Sequence, residues 1–191
     1  MPKLNYAILL AGFATVGAVW AQEPRARQTV EKVTLAVEAY YQGEKVKQVF
    51  GKTDPVKLGI VPVLLVVING SDRALQLGHM RVELITDGGQ AVSAVAPEDV
   101  LRTGRLTPPD VGKGPGLPGI GRGRRTKDEP VLLAKAFVAP AVQAGDRAQG
   151  FFYFRIARGR LPGAKVYIRG IRDARTGQEL LYFEINLDTK G

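Results

Sequence analysis

Alternation of apolar and polar residues with a period of two recurs along the chain, which is the pattern of half-buried β-strands. Val33, Leu35, Val37 and Ala39 alternate with Lys32, Thr34, Ala36 and Glu38. Met80, Val82 and Leu84 alternate with Arg81 and Glu83. Phe152, Phe154 and Ile156 alternate with Tyr153 and Arg155, and Val166 and Ile168 with Lys165, Tyr167 and Arg169. Leu181, Phe183, Ile185 and Leu187 close the series. Two runs are continuously apolar, 63–68 and 131–138. The first suits a central strand buried on both faces, and the second reads as a further strand. Turn chemistry separates the runs. Asn69-Gly70 and Asp87-Gly88-Gly89 tolerate positive φ, and Asp173-Ala174-Arg175-Thr176-Gly177 reads as a tight turn with glycine at the left-handed position. One short helix is expected, opened by Pro97-Glu98-Asp99 and closed by Gly104.

About seven to eight short strands without a long amphipathic helix predict an all-β fold. The expected architecture is an immunoglobulin-like β-sandwich, with a small closed barrel as the competing arrangement. Phe152, Phe154, Phe183, Leu84 and Ile168 are assigned to its core. Each such side chain contributes ~1.5–3 kcal/mol when buried.

Val66-Val67-Ile68-Asn69-Gly70-Ser71, with Leu75 and Leu77 after it, resembles an early hairpin of bacterial extracytoplasmic immunoglobulin-like modules. Gly145-Asp146-Arg147, then Gly150-Phe151-Phe152-Tyr153-Phe154, is similar to their later aromatic strand. The resemblance covers roughly residues 60–188 with one interruption. It implies a turn shaped by Asn69 and Ser71, and a binding or assembly role without catalysis. Fold-level analogy does not fix a function.

The N-terminus changes the picture of location. Lys3 is followed by no charge until Glu23, and the chain is apolar from Tyr6 through Ala21. Val19-Trp20-Ala21 presents small residues where a signal peptidase reads, so 1–21 is expected to be a signal peptide cleaved after Ala21. The apolar stretch is short for a membrane span, which needs ~20 residues, and retention as an anchor is the competing reading. No transmembrane segment is expected after cleavage. The expected location is periplasmic or secreted, followed by a flexible leader at 22–29 and one domain at 30–190.

Composition narrows the chemistry. Hydrophobic residues make up 45% of the 191, too many for wholesale disorder. There is no cysteine, and the single histidine is His79. Disulfides, thiolate metal sites and paired-histidine sites are thereby excluded. A lone histidine is more often a turn or surface residue than a ligand or base. Ser71 and Ser93 are the only serines, and no D-x-D-x-D-G calcium loop is present. The carboxylates Glu83, Glu98, Asp99 and Glu184 lie on separate elements. This inventory argues against an enzyme, and no cofactor or metal is expected. Gly114-Pro115-Gly116-Leu117-Pro118-Gly119 has dinucleotide-loop spacing, but lacks the flanking strand and helix and carries two prolines without N–H groups.

Net charge is +9, and it is uneven. Residues 102–127 carry +6 within a Gly/Pro-rich stretch, read as a disordered loop insertion at 104–130. Arg122, Arg124, Arg125 and Lys127 form its dense cluster, a candidate contact for polyanions. Charge runs are more often simply solvated, and no aromatic residue interleaves this one for base stacking, so no specific nucleic acid is expected. Arg155, Lys165 and Arg169, with Arg172 and the tyrosines Tyr153 and Tyr167, form a second candidate, a basic-aromatic face for a glycan or anionic polymer. Such residues are more often ordinary charged sheet surface. The expected function is an exported, non-enzymatic binding or assembly module of the bacterial envelope, with an envelope protein or anionic polymer as partner. The alternative is a polyanion-binding protein acting through loop 102–127.

Overall fold

The computed structural model describes residues 24–103, 129–157, 160–180 and 182–187. The chain is mostly antiparallel β-structure. Strands β1 (Ala26–Val30), β2 (Val33–Ala39) and β3 (Ile60–Asn69) form a meander, with helix α1 (Gly43–Phe50) and a 3-10 turn (Pro55–Leu58) between β2 and β3. Then come β4 (Leu75–Gln76), β5 (Arg81–Ile85), β6 (Ala91–Ser93) and helix α2 (Pro97–Thr103). Helix α3 (Glu129–Lys135), β7 (Ala141–Val142), β8 (Arg147–Arg155), β9 (Lys165–Arg169), β10 (Arg172–Asp173) and β11 (Phe183–Asn186) complete the order.

One sheet runs β1-β2-β3-β8 and a second runs β11-β9-β5-β6, with a small sheet β10-β4-β7 at one end. The two large sheets meet at both edges. The Val95 N–H donates to the Tyr153 carbonyl at 2.8 Å on one side. The Glu184 N–H donates to Gln28 Oε1 at 2.7 Å on the other, bringing the eight strands close to a barrel.

The alternation predicts the inner faces. Leu35, Val37, Val63, Leu65, Leu84, Phe154, Val166, Ile168, Phe183 and Ile185 share one core between the sheets. A second core lies on the opposite face of the first sheet. There Ala36, Leu64, Val66, Phe151 and Tyr153 pack against Val46 and Phe50 of α1, Val100 of α2 and Leu132 of α3. Strand β3 is therefore buried on both faces, as its continuous apolar run predicts.

Four expectations are corrected. Residues 131–138 are not a strand: Pro130 stands in the first turn of α3, where its missing N–H costs nothing, and Leu132 and Ala134 favour helix. The apolar character serves to cover the sheet. Helix α1 escapes the period-two reading because only Val46 and Phe50, four residues apart, mark its buried stripe. The expected leader at 22–29 already contains β1, which pairs with β2 from Ala26 to Val30. Tyr153 points into the second core, only 1% exposed, and its hydroxyl donates to the Leu132 carbonyl at 2.8 Å.

The turns carry the more specific chemistry. Glu31 and Lys32 both take positive φ, 48° and 66°, in a two-residue hairpin whose twist matches the strands. Asn69-Gly70 does not use positive φ. Instead Asn69 Nδ2 donates to the carbonyls of Arg73 at 2.7 Å and Gln143 at 2.9 Å, while Oδ1 accepts from the Ser71 hydroxyl at 2.6 Å and the Ser71 N–H at 3.1 Å. The turn at Asp173 has Gly177 at φ 72°, as expected.

That turn predicts an acid sensitivity. The Thr176 N–H at 2.9 Å holds the Asp173 carboxyl below its ordinary value. Burial opposes this, and the Arg175 N–H, the Thr176 hydroxyl and Arg73 reinforce it. A folded-state value below the unfolded one gives stability that is present above the unfolded value and lost as pH falls through the folded one. Acidification below about pH 4 should therefore lower the melting temperature of the wild type more steeply than that of Asp173→Asn. Parallel slopes from pH 6 to pH 2.5 would show that this carboxylate contributes nothing to acid unfolding.

Candidate anion-binding site

Strands β5 and β9 pair antiparallel, and their register sets Arg81 directly opposite Arg169. Both are exposed. Period two keeps Arg81 and Glu83 of β5, and Lys165, Tyr167 and Arg169 of β9, on the outer face of the second sheet. Directly opposed residues have Cβ atoms about 4.5–5.5 Å apart, and like charges there are destabilising. Among the described residues neither arginine makes an ion pair.

The corner after β9 extends this basic row into a cleft. Gly170 has φ 84°, and a Cβ there would lie 2.3 Å from the His79 carbonyl oxygen. Only glycine lets the chain pass so close to the start of β5. Passage at that distance sets Arg172 and Glu179 near His79. A cleft of 430 Å³ results, lined by Gly78, His79, Met80, Arg81, Arg169, Gly170, Arg172 and Glu179. Glu179 is its single carboxylate. One of its oxygens accepts from the Gly170 N–H at 2.8 Å, and the other faces Arg172 Nη2 at 3.6 Å. Glu179 is thus committed to the corner, and Arg81 and Arg169 have no ion-pair partner among the described residues.

Tyrosines flank the row. Tyr167 and Tyr182 lie with ring centroids 5.3 Å apart and planes inclined by 36°. Tyr182 is 54% exposed. Lys165 is engaged by Glu184 at 2.6 Å, and that hydrogen bond raises the lysine's pKa.

The expected face of Arg155, Lys165 and Arg169 does not assemble as one surface. Lys165 and Arg169 share the outer face of β9, but Arg155 ends β8 in the other sheet, opposite Ile60. The outward positions of Lys165, Tyr167 and Arg169 in β9 were read correctly, but β8 and β9 fall in different sheets. Arg81 and Tyr182 were missed as partners, because cross-strand register is not written in either strand alone. The loop cluster Arg122, Arg124, Arg125 and Lys127 lies outside the described residues.

A second cleft, of 530 Å³, lies between α1 and the 3-10 turn and is lined by Lys47, Lys52, Thr53, Asp54 and Lys57. Asp54 is occupied there, accepting from the N–H groups of Val56 and Lys57. Among the described residues no three His, Asp or Glu side chains are grouped to hold a metal ion. No helix among them is long and apolar enough to cross a membrane. Burial pushes the Tyr153 phenol well above its ordinary value, consistent with a structural hydroxyl.

No protein-family model matches the chain, and no curated protein matches it. Among solved structures it is similar to a Northeast Structural Genomics Consortium target, SoR45, at 10% identity and a TM-score of 0.35. The match covers 84% of this chain and 90% of that one.

Proposed function

We propose that this chain is an exported, non-enzymatic immunoglobulin-like module that docks an anionic partner in the bacterial envelope. The immunoglobulin-like reading is supported by the pairing of β3 with β8 and of β5 with β9, strands far apart in sequence that alternate between the two sheets. The Asn69–Ser71 turn chemistry supports it as well. Export rests on the apolar segment ending at Ala21.

The observation that carries the binding role is the opposed pair Arg81–Arg169. A like-charge pair in register lowers stability, and positions that do so are common where function requires them. Arg169→Glu should therefore raise the melting temperature, by about 1–2 °C for a chain of this size. The double variant R81A/R169A should lose most of the salt-sensitive binding of the protein to envelope fractions. Full binding by the double variant would sink the proposal.

The +6 charge of 102–127 favours a second reading, a polyanion contact through that segment. Deleting 106–127 separates the two. Binding lost with the deletion but retained in R81A/R169A assigns the contact to the loop.

A further inference from the structure

We infer that the Arg81–Arg169 cleft recognises an acidic saccharide, a pyranose bearing a carboxylate or phosphate group, with Tyr182 as the platform for the sugar ring. This rests on the anion-docking reading above and names its ligand class. Three features combine. Two guanidinium groups stand in one row without a carboxylate partner among the described residues, and the planar fork of arginine suits carboxylate and phosphate oxygens. A third arginine, Arg172, lines the same cleft, and its Nε has no hydrogen-bond partner. Phe183 of β11 pairs with Ile168 of β9, so the exposed Tyr182, which directly precedes Phe183, stands beside Arg169. A sugar ring lying on Tyr182 then carries its charged substituent toward Arg169.

The tyrosine pair decides between saccharide and nucleic acid. Tyr167 is half-buried, and its ring is inclined to that of Tyr182, so the pair offers one exposed aromatic platform beside one cationic row. Single-stranded nucleic acid is held by a basic groove that tracks the backbone, with successive aromatic rings for successive bases. A sugar needs one ring face plus a few placed polar groups. His79, in the lining of the same cleft, is within the reach of sugar hydroxyls.

The test titrates the full chain with tetragalacturonate, glucose 6-phosphate, maltotetraose, inorganic phosphate and an oligothymidylate, by calorimetry at low salt. Tetragalacturonate or glucose 6-phosphate should bind, the stronger of the two identifying the anionic group, and maltotetraose should not. R81A/R169A should weaken that binding at least tenfold, and Tyr182→Ala about threefold to tenfold. R81K/R169K, which keeps charge but loses the forks, should fall between. K47A/K57A removes the same charge from the other cleft and should change nothing. All five residues are on the surface, and matched melting curves confirm that each variant is folded.

Equal weakening by K47A/K57A would reduce the effect to net charge and overturn the assignment. So would indifference to Tyr182→Ala, inorganic phosphate competing as well as the sugar phosphate, or tighter binding of the oligothymidylate. If envelope binding depends on the arginines but no acidic sugar binds, the ligand class falls while anion docking stands. If envelope binding ignores the arginines, both fall together.

Discussion

Gly150→Ala should leave a protein that melts about 5–10 °C below the wild type, or that fails to accumulate. Gly150 lies in β8 opposite Leu65. The segment after α3 crosses it at close range. Phe137 N–H donates to the Phe151 carbonyl at 3.1 Å, and Ala136 bridges Phe151 in parallel. A Cβ at Gly150 would stand 2.4 Å from Phe137 Cα, 2.6 Å from Phe137 N and 2.9 Å from the Ala136 carbonyl carbon. All three are backbone atoms, so no rotamer change relieves the clash. The crossing segment must lift, and it takes with it the stacked pair Phe137–Phe152, whose centroids are 5.5 Å apart. Overpacking a core by a methyl typically costs about 1–3 kcal/mol, and here the loss of that packing adds to it. A thermal melt decides the matter. A midpoint within 2 °C of the wild type would mean that the 136–137 crossing does not sit against β8.

Asn69→Leu should be nearly as damaging, through chemistry instead of volume. Asn69 is fully buried, and its side chain joins the turn at Ser71 and Arg73 to the approach of β8 at Gln143. Leucine fills the space but leaves the Ser71 hydroxyl and N–H, and two carbonyls, without that partner. A buried polar group left unpaired costs about 1–3 kcal/mol, and some of these groups find water at the turn. We expect a loss of about 3–4 kcal/mol by denaturant unfolding. Asn69→Asp should cost as much or more: one carboxylate oxygen still accepts from Ser71, but the other is a buried acceptor facing the Arg73 and Gln143 carbonyls. A loss for Asn69→Asp well below that of Asn69→Leu would show that the amide donors carry little.

Why these two residues were legible to different degrees says what a sequence encodes. Asn69 and Ser71 stood out as a turn, and their bonding follows from short polar side chains reaching local backbone. Their long-range reach to Gln143, 74 residues away, is a property of the assembled sheets. Gly150 sits inside an aromatic strand, where a glycine marks close backbone approach, but nothing local names the segment that approaches. The strands themselves were legible because Val33–Ala39 and Lys165–Arg169 each write period two into a few residues. Strand β8 was half legible. Tyr153 was assigned outward, because the helices that cover it carry short stripes such as Val46 and Phe50 that no window of that length separates from a loop. The candidate cleft was the least legible part. Arg169 was found from its own strand, whereas its pairing with Arg81 required the register of β5 against β9.

The seam between the first and last strands has a mechanical consequence. A bond from the Glu184 N–H to the Gln28 side chain spans it, while β1 is held to β2 by an antiparallel ladder ending in the Glu31-Lys32 turn. Tension applied at Ala26 loads that ladder at its open end, so its rungs break one after another instead of together. Such unzipping needs little force, and it uncovers the inner face of β2 before β3 is disturbed. Under load, the module would lengthen by one strand early and hold firm afterwards, with Gln28 as the catch that sets when the first slip begins.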